Sequence, residues 1–361
     1  MQRIGHENLK AFSASLVEAL GASRSTAEDV ATSLVEADLR GHASHGVVRL
    51  LTTYEPMVEA GLIDPEAKPS VTRRTEGAAT VDGNHAFGHV TGREAVGTGL
   101  GLLENSGVSV VGVKNASHLG RVGEWAEVAA ESGVLVSILV NTGGTERTVT
   151  VPGSVDRLFA TNPIAFGIPT FDEIPFPIVL DIATSQVAHG KVTKRAIDKG
   201  SLPQEWTVTQ GGEHVASSEE FEKGEGALLP LGGRTAGHKG YGLAVIAELC
   251  AGIVGGGAVI GQEAPQRVNN SAMFVFVDPL LFGSREHITS VIRSVKNQVN
   301  GASRPSSISI PPTMKGGRTM LPGEAEFTTY TKRIKEGVPV TEETAASLTE
   351  LASELGVERS L

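Results

Sequence analysis

The sequence predicts an α/β protein that begins with a helical region. Apolar residues recur at helical spacing through residues 1–60, whereas from residue 70 short apolar runs alternate with helical patterns. Pro65 and Pro69 mark a linker where the first pattern gives way to the second. We therefore expect a helical N-terminal region over 1–75, an α/β domain over 76–310 and a C-terminal segment over 311–361.

Three helices are expected in the N-terminal region. The first covers residues 8–20, where apolar side chains follow helical spacing. Ser25 or Thr26 is expected to cap the second helix, because a hydroxyl can accept a hydrogen bond from the first turn. Gly61 is expected to end the third helix.

The α/β domain is predicted from short β-branched runs and amphipathic segments that follow one another. In the predicted helix at 123–131, apolar Trp125, Val128 and Ala129 are expected on one face, and Glu124, Glu127 and Glu131 on the opposite, polar face. Predicted strands cover 78–82, 108–113, 134–140, 178–182 and 273–277; predicted helices cover 91–103, 123–131, 243–253 and 284–299, and helical patterns return over 327–361.

Composition narrows the class of protein. The chain has 361 residues and a formal net charge of −10 without a basic run, which argues against nucleic-acid binding. Its single cysteine, Cys250, excludes an intrachain disulfide and fits a reducing cytoplasm. The N-terminus is charged and does not read as a signal peptide. The apolar run at 243–260 carries Glu248 and a glycine cluster, so a buried helix is expected there and no membrane span.

His118 is the first candidate for chemistry. It lies in the polar loop 114–120, between a predicted strand and a predicted helix. Sites in α/β folds favour such junctions, and histidine is the side chain best suited to proton transfer near neutral pH. The alternative is a loop histidine that only caps or packs.

A second candidate site is the segment GHASHGVVR at 41–49. If it enters a helix, His42, His45 and Arg49 lie roughly on one face, with Ser44 beside them. A guanidinium can hold both oxygens of a small carboxylate, and an imidazole can donate to a carbonyl. The alternative is a capping loop with exposed histidines, and the HxxH spacing lacks a recognisable third zinc ligand.

Two further segments suit binding of a nucleotide or another anion. Asp181 ends an apolar strand and can accept hydrogen bonds from a ribose or an imidazole, or can simply cap a helix. The glycine-rich stretch 232–242 carries Lys239 ahead of a predicted helix, which suits a phosphate, although a solvated glycine loop is the alternative. Because no GxGxxG follows a strand, a bound dinucleotide would not use a Rossmann fold.

Seven motifs in order resemble the malate/L-lactate dehydrogenase family of NAD(P)-dependent oxidoreductases, which lacks the Rossmann fold. They span about 290 residues, from the first histidine segment to a short motif near the C-terminus. The matching text is DLRGHASHGVVRL (38–50), VDGNHAFGHV (81–90), NASHLGRVGEWA (115–126), TNPIAFGIP (161–169), DIATSQVAHGKV (181–192), GHKGYGLA (237–244) and LPGE (321–324).

This resemblance implies a non-Rossmann cofactor domain with a mixed sheet flanked by helices, and a C-terminal segment that returns to the helical N-terminal region. It implies a homodimer that uses NAD or NADP and a small 2-oxo or 2-hydroxy acid. The implied catalytic residues are His118 as acid/base and His45; the implied substrate residues are Ser44 and Arg49; the implied cofactor residues are Thr142, Asp181, Ile182, Ala183, Lys239, Gly323, Glu324 and Ala325. His189 and Ala325 depart from the family pattern, where arginine is common, and this leaves recognition of the nucleotide phosphates open.

Three other functions are compatible with the same residues. A cyclic imino acid could replace the 2-oxo acid as substrate. A metal-dependent hydrolase or lyase could use His42, His45, His118 and Asp181. A non-catalytic anion-binding protein could use the glycine–lysine stretch alone. No metal is expected for the dehydrogenase reaction.

Overall fold

The computed structural model describes residues 1–197, 200–263, 269–303, 307 and 319–361. Helices are α1 (His6–Ala19), α2 (Arg24–Leu39), α3 (Glu55–Glu59), α4 (Gly88–Ser106), α5 (Val122–Glu131), α6 (His189–Ile197), α7 (Ser218–Glu222), α8 (Gly233–Cys250), α9 (Arg285–Asn300), α10 (Glu324–Glu336) and α11 (Glu342–Glu354). Strands are β1 (Gln2–Ile4), β2 (Ser70–Thr75), β3 (Ala78–Asp82), β4 (Val108–Ala116), β5 (Leu135–Asn141), β6 (Ile164–Ile168), β7 (Ile178–Ile182), β8 (Thr207–Val208), β9 (Ala227–Leu228), β10 (Asn270–Val277) and β11 (Val338–Val340).

A seven-stranded mixed sheet forms the centre of the α/β part, with strand order β2-β3-β4-β10-β5-β6-β7. Strands β3 and β4 pair in parallel through the crossover helix α4, and the other neighbours pair antiparallel. This order is not that of a Rossmann sheet, so the predicted fold class is confirmed. Strand β7 lies at one edge, which leaves one side of its backbone available for other contacts.

The two ends of the chain pack together. Strand β1 pairs antiparallel with β11, and Ile4 lies opposite Val338. A hydrophobic core joins α1 and α2 to α11, with Leu16 and Leu348 both fully buried. The expected return of the C-terminal segment to the N-terminal region is therefore observed.

Only one of the two predicted domain limits falls within the described residues. Strand β2 belongs to the seven-stranded sheet although it precedes the predicted limit at residue 75. The limit between 310 and 311 lies outside the described residues. The division into three units stays a prediction.

Helix α2 begins earlier than the sequence indicated. Its cap is Ser23, whose side chain accepts a hydrogen bond from the backbone N–H of Thr26, so the expectation of Ser25 or Thr26 as the cap is wrong. Ser25 and Thr26 fall inside the first turn. The helix ends at Leu39.

Helix α5 is buried on nearly all sides, which corrects the expected polar face at Glu124 and Glu127, whereas Glu131 is exposed as expected. Glu124 accepts a hydrogen bond from the Ser33 hydroxyl at 2.6 Å. Glu127 pairs with Arg40 at 2.8 Å and with Arg121. Because polar partners on α2 compensate both carboxylates, the charged face could be buried against α2.

Candidate active site

A groove of about 280 Å³ lies where the N-terminal region meets the carboxyl end of β7. Its walls combine the histidine turn after α2, the loop between β4 and α5, and the segment that follows β7. Of the residues chosen from the sequence, it is lined by His42, Ser44, His45, His118, Thr142, Asp181, Ile182 and Ala183. The structure thus brings residues that are more than one hundred positions apart into one cavity.

His118 occupies the loop between β4 and α5, as predicted. The loop is held on both sides of the histidine: Ser117 Oγ accepts from Gly88 N at 2.8 Å, and Asn270 Oδ1 accepts from Leu119 N at 2.9 Å. Burial and the nearby Arg49 charge lower the pKa of His118 well below its ordinary value. The imidazole is therefore neutral at pH 7 and fixed in position.

His45 stacks against His118, with ring centroids 5.8 Å apart and planes inclined by 23°. Its Nδ1 lies 3.0 Å from the hydroxyl of Ser44. Burial and then the Arg49 charge lower the pKa of His45 well below its ordinary value. Two neutral imidazoles and a hydroxyl therefore share this end of the groove.

Arg49 lies beside these groups but lines a second cavity, of about 250 Å³, which shares Ser44 with the groove. Its Nε donates to the backbone carbonyl of Ser44 at 2.7 Å, and Nη1 donates to Thr53 at 3.0 Å. Because its charge contributes to the low pKa of both His45 and His118, the guanidinium is electrostatically part of the same site.

The expected single helical face of His42, His45 and Arg49 is wrong. Ala43–His45 forms one 3-10 turn, and Gly46 follows with an extended ψ of −155°. His42 turns toward α10, where its Nε2 lies 3.4 Å from Glu326. Gly46 allows the break because the buried Asp38 carboxylate occupies the space that a side chain would need.

Asp181 caps a helix, but not the helix that follows it. Its Oδ2 accepts a hydrogen bond from Gly123 N, in the first turn of α5, at 2.7 Å. Burial raises the pKa of this carboxyl group, and the Arg121 charge and the hydrogen bond from Gly123 oppose that rise. Asp181 therefore ties the edge strand β7 to the helix behind His118.

The remaining residues chosen for the cofactor lie outside the groove lining. Lys239 is exposed on α8, because the glycine-rich stretch forms the first turns of that helix and is not a loop before it. Gly323, Glu324 and Ala325 follow Pro322, whose carbonyl accepts from Val179 N at 3.3 Å. They therefore lie beside the start of strand β7, and the end of the same strand lines the groove.

Sequence reasoning missed Tyr54 and His89, which contact each other and lie behind His118. His89 stands in the motif VDGNHAFGHV, which had been noted without a role for the histidine. Tyr54 falls in an apolar stretch, LLTTY, where an aromatic residue reads as core, so no sequence signal distinguished it.

Within the described residues, no group of three or more histidine, cysteine, aspartate or glutamate side chains is placed to hold a metal ion. The same part of the chain contains no helix long and apolar enough to cross a membrane.

Comparison with known proteins points to one family. Residues 4–349 match the family model for malate/L-lactate dehydrogenase. A malate dehydrogenase from Pyrococcus horikoshii is 30% identical over 363 residues, which cover 99% of this chain and 96% of that protein. The crystal structure of malate dehydrogenase from Entamoeba histolytica has a TM-score of 0.90 at 26% identity, covering 99% and 98%. A delta1-piperideine-2-carboxylate reductase from Pseudomonas syringae has a TM-score of 0.79 at 25% identity, covering 98% and 100%.

The fold and the groove together define an α/β oxidoreductase whose cofactor domain is not of the Rossmann type. The chain belongs to the malate/L-lactate dehydrogenase family. Relatives that match over nearly the whole chain are dehydrogenases of hydroxy acids, and this class implies a nicotinamide cofactor. The oxidoreductase function expected from the motifs is therefore confirmed at the level of the family.

Proposed function

We propose that this protein transfers a hydride between NAD(P)H and a small 2-oxo acid or its 2-hydroxy partner, with His118 as the acid/base. The observation that carries the proposal is the shared groove, in which His118 and His45 meet residues from the end of β7. A nicotinamide, when bound, would provide the hydride chemistry at substrate C2. The protein must then move one proton at the substrate oxygen.

His118 moves that proton. In reduction it donates to the carbonyl oxygen, and in oxidation it accepts the hydroxyl proton. Its low pKa keeps the imidazole neutral at pH 7, so it is ready to act as a base without prior deprotonation. His45 lies against the same ring and is placed to donate a hydrogen bond to the substrate oxygen or carboxylate.

Arg49 and Ser44 hold the substrate carboxylate. Two of the guanidinium contacts are already fixed, to the Ser44 carbonyl and to Thr53, which sets the direction of the remaining donors. A substrate carboxylate at the boundary of the two cavities could accept from the guanidinium while its C2 oxygen faces His118. Because this end of the groove is lined by large side chains, we expect small acids to be preferred.

The residues present fit a nicotinamide. The groove volume lies near the lower end of the usual range for small-molecule sites, about 300 Å³, and Thr142 offers a hydroxyl beside the apolar walls of Ile182 and Ala183. Asp181, Ile182 and Ala183 would hold the cofactor from the edge strand. Lys239, Gly323, Glu324 and Ala325 stay proposed contacts for the rest of the nucleotide. Cytoplasmic localisation stays a prediction.

We also propose that the protein is a homodimer. Helix α8 and the helical turn Ala251–Gly255 that follows it expose a stripe of apolar side chains that includes Ile246, Leu249 and Ile253, which are 53, 45 and 76% exposed. A stripe of this kind is typical of protein interfaces. Lys239 lies on the same side of α8, so association through this stripe would bring it to the boundary between two copies. Analytical ultracentrifugation of the purified protein tests this; a monomer at micromolar concentration would contradict it.

The experiment that tests the proposed reaction is a substrate screen. NADH or NADPH is mixed with the protein and a panel of 2-oxo acids, and loss of reduced-cofactor absorbance is followed. We expect turnover with at least one small 2-oxo acid and formation of the 2-hydroxy acid. Turnover only with delta1-piperideine-2-carboxylate would favour the imino acid reductase instead. No turnover with any acid or imino acid, in protein shown to be folded, would contradict the proposal.

A further inference from the structure

Tyr54 lies between two histidines in a buried line that ends at the groove. Its Oη is 3.0 Å from His118 Nδ1 and 3.3 Å from His89 Nε2. Tyr54 is fully buried and His89 is 1% exposed, so neither side chain reaches a substrate. Both groups can therefore affect the reaction only through His118.

The backbone of Gly120 determines how protons are arranged along this line. Its N–H points at His118 Nδ1 at 3.3 Å, and a backbone N–H can only donate. At rest, His118 Nδ1 therefore carries a lone pair, and the proton of the neutral ring sits on Nε2, the nitrogen left for the substrate. Gly120 has a φ of +75°, and a Cβ there would lie 2.7 Å from His89 Nε2, so glycine is needed for this approach.

The remaining protons follow from the lone pair on His118 Nδ1. Tyr54 has one hydroxyl proton, and it is donated to His118 Nδ1. The Tyr54 oxygen then accepts from His89 Nε2–H. The opposite arrangement would place a proton on His89 Nδ1, which is buried and has no hydrogen-bond partner among the described residues. An orphaned donor is costly, so the first arrangement is favoured.

We infer, on the basis of the proposed function, that His118 protonates the substrate as a neutral imidazole. Tyr54 then gives its own proton to the His118 ring, which replaces the one that was lost. As hydride reaches C2, the Nε2–H bond of His118 breaks and its proton goes to the carbonyl oxygen. The Tyr54 proton moves to Nδ1, so the ring stays neutral and Tyr54 is left as a phenolate that accepts from His89 Nε2–H. After product release, Nε2 takes a proton from water in the groove and Nδ1 returns its proton to Tyr54.

The surrounding charges are consistent with this role. Arg49 faces His118, His45 and Tyr54, and its positive charge lowers the pKa of all three. Burial lowers the pKa of His89 to about 3, with a smaller contribution from Arg93, so His89 stays neutral. Burial raises the pKa of Tyr54 well above its ordinary value, and Glu124 adds to that rise, so Tyr54 holds its proton at rest. Tyr54 and His89 are thus positioning residues.

The first test measures which nitrogen of His118 carries the proton, and it does not depend on catalysis. Histidine ring nitrogens are labelled with ¹⁵N in the full-length protein, and the His118 signals are assigned by their loss in His118→Asn. We expect a neutral ring with its proton on Nε2 at pH 7. A proton on Nδ1, or a charged ring, would overturn the inference whatever the activity of the protein.

The second test is the pH dependence of 2-oxo acid reduction. If the donor is neutral, wild-type kcat is flat between pH 6 and 8. If the donor were a cationic imidazole, kcat would fall about tenfold per pH unit over this range, because the charged fraction falls by that factor. We expect Tyr54→Phe to lose about 100-fold in kcat at pH 7 and to acquire that slope, since only the cationic route remains. Tyr330→Phe is the matched control and should match wild type.

His89 provides an independent check. His89→Leu should reduce kcat because the phenolate loses its donor, and His89→Gln, which restores an N–H donor, should recover most of the loss. Equal loss in both variants, or a flat profile in Tyr54→Phe at full rate, would overturn the inference. Full activity of His118→Asn would instead contradict the proposed function, so the two failures are distinguishable.

Discussion

Arg49 reaches back to the turn that carries the stacked histidines, and its Nε donates to the backbone carbonyl of Ser44 at 2.7 Å. This bond links the guanidinium to the residue beside His45, so the cation and the imidazole are held in fixed relation. Ser44 also lines both the groove and the neighbouring cavity. A small acid held by Arg49 would therefore lie next to the stacked imidazoles.

Arg49→Lys should raise KM for the 2-oxo acid about ten- to hundredfold with a smaller change in kcat. A lysine keeps the charge but cannot hold Ser44 and a carboxylate at once, and charge-assisted hydrogen bonds contribute roughly 1.5–3 kcal/mol. Steady-state kinetics measure this, with Arg73→Lys on the exposed strand β2 as the control. An unchanged KM would remove Arg49 from the substrate site.

Gly190→Ala should raise KM for the 2-oxo acid, as Arg49→Lys should. A methyl group at Gly190, in the first turn of α6, would lie 2.6 Å from Nη2 of Arg49, and the flexible guanidinium would shift to avoid it. Alanine also favours the helix. Gly101→Ala, at an exposed position of α4 with no atom within 4 Å of the added methyl, is the matched control. Equal KM values in the two variants would contradict this placement of Arg49.

The sequence predicted the elements that local patterns specify. The strands 78–82 and 178–182 agree with the structure at both ends, because short β-branched runs between turns have few alternatives. The position of His118 in a loop was predicted from the polar segment between a strand pattern and a helix pattern. The glycine-rich stretch 232–242 was placed ahead of the predicted helix, but α8 begins at Gly233, and close packing against Pro230 and Leu231 requires glycine inside the helix.

What local patterns could not supply was the packing between distant segments. Glu124 and Glu127 of α5 were expected on a polar face, and their burial depends on partners that include Ser33 on α2 and Arg40 just after it. The same limit hid Tyr54, since its importance depends on the distance to His118, 64 positions away. Lys239 was chosen from the glycine-rich stretch and from the resemblance, and the structure places it exposed on α8, outside the lining of the groove.

His118→Asn should reduce kcat by about 100- to 10,000-fold in both directions, which is the usual contribution of general acid–base catalysis. Binding of NAD(P)H should change little, because the side chains that line the cofactor end of the groove are untouched. Stopped-flow or steady-state rates give the first quantity, and titration of cofactor fluorescence gives the second. Near wild-type turnover would show that another group moves the proton.

Asp38→Asn should remove a pH dependence of stability that centres on one buried carboxyl group. Burial raises the pKa of Asp38 from 3.8 to about 7, although Val47 N donates to its Oδ2 at 2.8 Å. Between these two values the folded protein binds this proton more tightly than the unfolded chain does. The Asp38 contribution is therefore most favourable below pH 4 and is lost as pH rises through 7, by up to about 4 kcal/mol.

An asparagine at position 38 cannot ionise but can still accept the hydrogen bond from Val47 N. The stability of Asp38→Asn relative to wild type should therefore increase from pH 5 to about pH 7 and then level off. Urea unfolding at each pH measures this difference, and subtraction of the two proteins cancels the titration of all other groups. A difference that stays constant with pH, or that shrinks as pH rises, would show that Asp38 titrates at its ordinary pKa in the folded protein.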